Sequence, residues 1–189
     1  MTELCDLAYK YGSDKCPRIK HHYTPYYFEL FDPIRTKVKK LLEIGVGYPE
    51  DMGKTFKDYV TGASLFMWRD FFPNAQIYGM DIEPRCVFQE DRIKTFLRNQ
   101  SRVHDLVKVL RETGRDLDIV IDDGSHMTSD QVFTCQTLMP ILKKDVIYII
   151  EDLNESREVI KRLHMFDCEI INFSNRRTLD DRLIIVKNK

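Results

Sequence analysis

The segment Leu41-Leu42-Glu43-Ile44-Gly45-Val46-Gly47 joins a short apolar run to an acid and a glycine loop. Two later segments repeat the plan, Ile119-Val120-Ile121-Asp122-Asp123-Gly124-Ser125-His126 and Ile147-Tyr148-Ile149-Ile150-Glu151-Asp152. Short apolar runs that alternate with helical patterns are typical of buried parallel strands. Because ligands bind at the carboxyl ends of the strands in open α/β sheets, the acids and the histidine are expected to line one crevice.

Acids at the ends of buried strands need a positive partner, because a carboxylate is costly to bury without one. The three segments are expected to bring together Glu43, Asp122, Asp123, Glu151 and Asp152. The cluster therefore predicts a cationic cofactor, a metal ion, or both.

The order of the predicted elements indicates the fold. Strands and helices alternate along the chain, and two strands at residues 169–173 and 183–186 close it, joined by residues 174–177. Right-handed crossovers place helices on both faces of a mostly parallel sheet. We predict an α/β, Rossmann-like methyltransferase fold with a seven-stranded, mostly parallel sheet and a C-terminal antiparallel hairpin. Residues 1–38 are predicted to form an N-terminal helical cap on a core of residues 39–189, within a single domain.

Composition disfavours some classes of partner. The 189 residues carry a net charge of −1, so no basic field favours nucleic acid. No apolar stretch approaches the roughly 20 residues of a membrane span, so no membrane insertion is expected, and no signal-peptide pattern is evident. The five cysteines are scattered and odd in number, which favours reduced thiols and a cytoplasmic location.

The glycine loop indicates which cofactor is compatible with the crevice. A dinucleotide fingerprint needs a third glycine three residues after Gly47, where this chain has Glu50, and an acid repels pyrophosphate. S-adenosylmethionine carries a sulfonium and an ammonium but no phosphate, so acids suit it. Asp81, at the end of the next predicted strand, is placed to accept both ribose hydroxyls. The alternative, that Gly45 and Gly47 only form a tight turn, remains open.

Four motifs give the chain a family resemblance along nearly its whole length. They are Tyr11-Gly12-Ser13-Asp14-Lys15, His21-x-Tyr23-x-x-Tyr26-Tyr27, the segment from Gly62-Ala63-Ser64-Leu65 to Asp81-Ile82, and Asp122-Asp123-Gly124-Ser125-His126. With the glycine loop, they resemble the class I, metal-dependent sugar O-methyltransferases that use S-adenosylmethionine. The mycinamicin-type macrolide-sugar and rhamnosyl enzymes are the most similar members of that group.

The resemblance implies a divalent metal, Mg²⁺ or Mn²⁺, held by Asp123, Glu151 and Asp152. The predicted strands agree, because neighbouring parallel strands are about 4.8 Å apart and carboxylates at their ends can reach one ion. All-oxygen ligation suits a hard cation rather than zinc. The alternative is that Glu151 or Asp152 only caps the following helix.

The resemblance also implies a sugar or glycoside acceptor and a reaction at its hydroxyl. An alcohol barely ionises at neutral pH, but a divalent ion lowers the pKa of an oxygen that it contacts, and a neutral imidazole can then take the proton. His126 is the candidate base. Asp123 is the other candidate catalytic residue, because it would hold the metal ion. The oxygen then attacks the sulfonium methyl group.

Further cofactor contacts follow from the resemblance and from the strand ends. Gln100 and Ser101 match the adenine-contact segment, although the chain reads Arg98-Asn99-Gln100-Ser101 where the family has Gly-Asp-Gln. The candidate cofactor-binding residues are Lys15, Tyr23, Glu43, Gly45, Gly47, Ser64, Asp81, Gln100, Ser101 and Asp122. Many relatives carry a long N-terminal region that this sequence does not show. The acceptor pocket is therefore expected to be more open, or completed by another copy in a homo-oligomer.

Three other functions are alternatives to the methylation of a sugar hydroxyl. A catechol- or phenol-type O-methyltransferase also uses Mg²⁺ with carboxylates, but with a lysine base and a planar acceptor. A non-catalytic S-adenosylmethionine-binding module would need neither metal ligands nor a base. An iron oxygenase would need two histidines and a carboxylate, and this crevice is predicted to offer only His126.

Overall fold

The computed structural model describes residues 1–52, 59–173 and 180–189. Within these ranges the α-helices are α1 Glu3–Tyr11, α2 Tyr23–Phe31, α3 Pro49–Met52, α4 Ala63–Phe71, α5 Val103–Thr113, α6 Thr128–Leu138 and α7 Ser156–Arg162. The strands are β1 Lys40–Ile44, β2 Gln76–Asp81, β3 Gln89–Glu90, β4 Ile93–Leu97, β5 Ile119–Asp122, β6 Ile147–Ile150, β7 Asp167–Asn172 and β8 Arg182–Lys187.

The strands form one sheet in the order β3-β4-β2-β1-β5-β6-β8-β7. The five strands from β4 to β6 in this order pair in parallel. Strand β8 pairs antiparallel with both β6 and β7, as predicted for the terminal hairpin. The predicted fold is confirmed, but the sheet has eight strands in the described residues rather than seven. The additional strand is β3, whose two residues are exposed and polar and therefore give no apolar alternation to detect.

Two hydrophobic clusters lie on opposite faces of the sheet. Alternate residues of β1 face opposite ways, so Leu41 joins one cluster and Leu42 joins the other. The first cluster includes residues of α1 and α2 together with Trp68 of α4, and the second includes residues of α5, α6 and α7. Helices thus cover both faces of the sheet.

The connection between β1 and α4 contains the short helix α3. The glycine at position 53 and the predicted turn at residues 174–177 lie outside the described residues. In the part of the chain that is described, no helix is both long enough and apolar enough to cross a bilayer.

Gly45 allows β1 to approach the loop after β5. Its φ of 89° is in the left-handed region, and a Cβ atom there would lie 2.0 Å from the backbone oxygen of Asp123. We expect Gly45→Ala to lower the free energy of unfolding by roughly 2–4 kcal/mol, because both backbone strain and a backbone clash follow.

Gly114→Ala is the matched control, measured with it by urea denaturation. Gly114 has a similar φ of 88°, but its Cβ would meet only the side chains of Asp116 and Lys40, which can move away. We expect a loss of roughly 1–3 kcal/mol from backbone strain, with no further loss from a backbone clash. Equal losses in the two variants would show that the close approach at Gly45 contributes nothing.

Candidate active site at the carboxyl edge of the sheet

Two cavities open at the carboxyl ends of the parallel strands. The first has a volume of about 210 Å³ and the second about 470 Å³. Gly45, Asp81 and Gly124 line both cavities, which makes them neighbouring parts of one crevice. This position is the one expected for a ligand site in an open α/β sheet.

Asp81 links the glycine loop to the first cavity. Its Oδ2 accepts hydrogen bonds from the backbone amides of Val46 (2.8 Å) and Gly47 (3.4 Å), and its Oδ1 accepts one from Glu83 (2.9 Å). The carboxylate therefore fixes the loop between β1 and α3 as well as lining the cavity. Ser101 also lines the first cavity, as expected from the sequence.

Gln100 lines the first cavity and also contacts Asp122. The Gln100 side chain donates to Asp122 Oδ1 at 3.1 Å and accepts from the Ser125 amide at 2.8 Å, so its polar atoms bind the protein itself. Asp122 is fully buried, and burial raises its pKa to about 7, against the opposing effect of the Gln100 hydrogen bond. The two residues position the loop after β5, and Asp122 lines neither cavity.

Asp123, His126 and Asp152 converge in the second cavity. One ligand atom from each lies within 4.8 Å of the other two. His126 Nε2 is 3.1 Å from Asp123 Oδ1 and 3.9 Å from Asp152 Oδ2. The two acids follow the neighbouring strands β5 and β6, as the sequence predicted. A divalent cation fits this donor set, because the carboxylate oxygens converge and all three residues line the cavity.

The backbone at this point is strained. His126 and Asp152 both have positive φ values, 57° and 51°, which non-glycine residues rarely adopt. Such strain persists only where the surrounding structure imposes it, and it is concentrated at functional sites. Both His126 and Asp152 line the second cavity.

Charges around His126 favour its protonated form. Burial by itself lowers the pKa of His126, but the hydrogen bond to Asp123 and the charges of Asp123 and Asp152 raise it to about 9. Burial would raise the pKa of Asp123, whereas Lys15 and His126 hold it below its usual value. His126 and Asp123 therefore carry opposite charges at neutral pH when no metal ion is bound.

Glu151 is not part of the converging set. Its Oε2 accepts from Lys15 Nζ at 2.6 Å, and its Oε1 accepts from Tyr27 at 2.6 Å. Lys15 also donates to Asp123 Oδ2 at 2.5 Å and pairs with Glu43 Oε1 at 3.2 Å. Burial raises the pKa of Glu43 to about 7, and the second oxygen of Glu43 accepts from Trp68 at 3.0 Å.

Lys15 lines the second cavity while its ammonium contacts the acids, and Tyr23 and Glu43 line neither cavity. Tyr23 is fully buried and donates to Asp152 Oδ1 at 2.5 Å. On the other side of Asp152, Oδ2 lies 3.3 Å from Nε2 of the buried His21. In contrast, Gly45, Gly47, Ser64 and Asp81 line the second cavity as expected.

Several residues that line this cavity were not candidates from the sequence, among them Asp14 and Tyr59. Burial raises the pKa of each of these two side chains. Asp14 precedes Lys15 in the first motif, so the motif itself was a signal. No local sequence pattern distinguishes Tyr59 from a packing residue.

The strand order, the glycine loop after β1 and the acidic ends of β5 and β6 define a Rossmann-like methyltransferase fold. The chain is 37% identical over 151 residues to the 8-demethyl-8-(2-methoxy-alpha-L-rhamnosyl)-tetracenomycin-C 3'-O-methyltransferase of Streptomyces olivaceus, covering 80% of this chain and 37% of the relative. It is 36% identical over 151 residues to the mycinamicin VI 2''-O-methyltransferase of Micromonospora griseorubida, covering 80% of this chain and 36% of that relative.

A solved structure of a methyltransferase is also similar to this chain. The MycE methyltransferase of the mycinamycin biosynthetic pathway, in complex with Mg, SAH and mycinamycin VI, matches 100% of this chain and 55% of its own, with a TM-score of 0.76 and 26% identity. No protein-family model matches the chain. The resemblance to sugar O-methyltransferases is confirmed as homology, and the chain spans about 37% of the length of the curated relatives it matches.

Proposed function

We propose that the chain carries the catalytic centre of an S-adenosylmethionine-dependent O-methyltransferase that acts on a sugar hydroxyl. The observation that carries this proposal is the convergence of Asp123, Asp152 and His126 within 4.8 Å, in a cavity that also contains the glycine loop. A module that only binds the cofactor would need neither a metal-binding pair of acids nor a base. The relatives named for methylation of rhamnosyl groups support the acceptor class.

Cofactor binding is assigned to the two adjoining cavities. We place the adenosine part in the first cavity, where Asp81 and Ser101 are available to the ribose and the base. The methionine part then lies in the second cavity, beside Gly45, Gly47 and Ser64. The sulfonium would be surrounded by acids, and no phosphate is present to be repelled by them.

The acceptor hydroxyl is placed beside His126, which removes its proton through Nδ1, because Asp123 holds the other ring nitrogen, Nε2. Asp123 orients the imidazole and stabilises its protonated form, as its hydrogen bond to Nε2 implies. A divalent cation, Mg²⁺ or Mn²⁺, held by Asp123 and Asp152 would lower the pKa of the hydroxyl that it contacts. Glu151 is proposed as a third ligand, through the oxygen that Lys15 now holds. The new bond joins the acceptor oxygen to the methyl carbon, and the carbon–sulfur bond breaks to leave S-adenosylhomocysteine.

Three assignments of wider scope belong to the same proposal. Residues 1–38 act as a cap on the core of residues 39–189, supported by the contacts of Lys15 and Tyr23 with the acids. Completion of the acceptor pocket by another copy of the chain is part of the same proposal. A cytoplasmic location is supported by the free cysteines.

Asp81 provides a direct test of the cofactor assignment. We expect Asp81→Asn to raise the dissociation constant of S-adenosylhomocysteine at least about tenfold, since a hydrogen bond to a charged acceptor is lost while one oxygen remains for the loop amides. Calorimetric titration measures the change, and NAD should bind neither protein. Glu83→Gln, an adjacent acid in the same cavity, is the control and should bind normally. Equal binding of NAD by the wild-type protein would contradict the cofactor assignment.

Mass spectrometry of an acceptor panel tests the reaction itself. Rhamnosides, other glycosides and a catechol are incubated with S-adenosylmethionine and Mg²⁺, and each product is examined for the gain of one methylene. We expect methylation of a glycoside and none of the catechol. Methylation of the catechol alone would replace the sugar assignment with the phenol-type alternative.

A further inference from the structure

Lys15 places a buried positive charge at the centre of the acids. Its side chain is only 1% exposed, and its ammonium contacts Glu43, Asp123 and Glu151 at 3.2, 2.5 and 2.6 Å. These contacts connect the loop that follows α1 to the ends of β1, β5 and β6. The backbone carbonyl of Lys15 accepts from the amides of Tyr23 and Thr24, which fixes the residue at the start of α2.

No other lysine or arginine is paired with these three acids in the described part of the chain. Lys20, the nearest comparable residue, lies 3.9–4.0 Å from Asp14, Asp152 and Asp180 and is 38% exposed. His126 contacts Asp123 on the opposite oxygen from Lys15. Lys15 therefore provides the compensating charge for Glu43 and Glu151, which are buried with it.

We propose that Lys15 is a positioning residue that serves as an internal counter-cation of the active site. It holds Asp123 and Glu151 in place before a divalent cation binds, and it competes with that cation for Glu151 Oε2 and Asp123 Oδ2. This proposal rests on the metal site of the proposed function. It explains why Glu151, expected from the sequence to be a metal ligand, is bound instead to an ammonium and a tyrosine hydroxyl.

Removing the ammonium should have two opposite effects. Without it, Glu43 and Glu151 lose the cation that they share and Asp123 keeps only His126, and an unpaired buried charge is strongly destabilising. The same change frees one oxygen on each of Asp123 and Glu151 and removes a positive charge, so a divalent cation should bind more tightly. The stability of the variant should then depend on the cation, because a ligand that binds only the folded state stabilises it.

Lys15→Met is compared with Lys20→Met, which removes the same charge from the rim of the same cavity. In EDTA at pH 8 we expect the Tm of Lys15→Met to fall by roughly 10 °C, and that of Lys20→Met by less than about 2 °C. Saturating Mg²⁺ should recover at least half of the loss in Lys15→Met. Electron paramagnetic resonance of free Mn²⁺ should give a dissociation constant at least about tenfold lower for Lys15→Met than for the wild type.

The double variant Lys15→Met/Glu43→Gln separates charge from packing. The amide oxygen still accepts from Trp68, while one of the three acids is neutralised, so we expect the Tm to rise above that of Lys15→Met. No such rise would show that Lys15 acts through packing and would overturn the proposal. Unchanged or weaker Mn²⁺ binding in both variants that lack Lys15 would also overturn it, although the proposed function would stand. A wild-type protein that binds no Mn²⁺ would instead contradict the metal site, and the Tm comparison would still test Lys15.

Discussion

Asp123→Asn is expected to lower kcat for methyl transfer about 10³–10⁵-fold, the effect of losing several kcal/mol of metal-assisted catalysis. Asp123 contacts His126 through Oδ1 and belongs to the converging set proposed to hold the cation, so the substitution affects both functions. Added Mg²⁺ should not restore activity. S-adenosylhomocysteine should still raise the Tm of the variant, because the cofactor contacts are assigned to other residues.

Wild-type protein treated with EDTA should behave like the variant, and Mg²⁺ or Mn²⁺ should restore its activity. Glu155→Ala is the control: this acid follows β6, as Asp152 does, but it contacts Thr128 and lines neither cavity of the crevice. Its kcat should remain within about twofold of the wild type. Full turnover in EDTA would mean that the acids of the crevice serve only the structure.

His126→Asn is expected to lower kcat about 10²–10⁴-fold, the usual contribution of a positioned base. Asparagine is the substitution of choice because it tolerates the left-handed backbone conformation at this residue, where φ is 57°. Cofactor affinity should be nearly unchanged. Some activity should remain and should rise with pH, because hydroxide can take the proton that the imidazole no longer accepts.

The pH dependence follows from the pKa of His126. A base must be neutral, so the wild-type rate should rise as pH rises through this pKa, which is raised to about 9 by Asp123 and Asp152. A cation bound to the same acids offsets their charge, so the rising limb with saturating Mg²⁺ should lie below pH 9. NMR titration of His126 in EDTA provides the comparison.

His164→Asn is the matched control for the base, because this exposed histidine contacts only a backbone carbonyl in the described structure. It should retain the wild-type pH–rate profile. If His126→Asn also retained wild-type kcat at pH 7, the proton acceptor would have to be another group.

The sequence was sufficient to predict strands β1, β5 and β6 and the crevice at their ends. Each strand is a short apolar run, and burial on both faces of a parallel sheet requires such a run. Asp123 and Asp152 could be predicted to converge for the same reason, since the strand ends alone place them side by side. Strand β3 could not be predicted, because two exposed polar residues carry no periodic signal.

What only the tertiary structure decided is the partner of each acid. Lys15 is 136 residues from Glu151 in sequence, and no local pattern indicates that its ammonium would reach that carboxylate. Glu151 and Asp152 are adjacent, yet one contacts Lys15 and Tyr27 while the other faces His126 across the cavity. Strand periodicity determines where acids emerge, because it depends on local burial. The charges that compensate them come from distant segments, and only the packing of the N-terminal helices on the sheet brings those segments into contact.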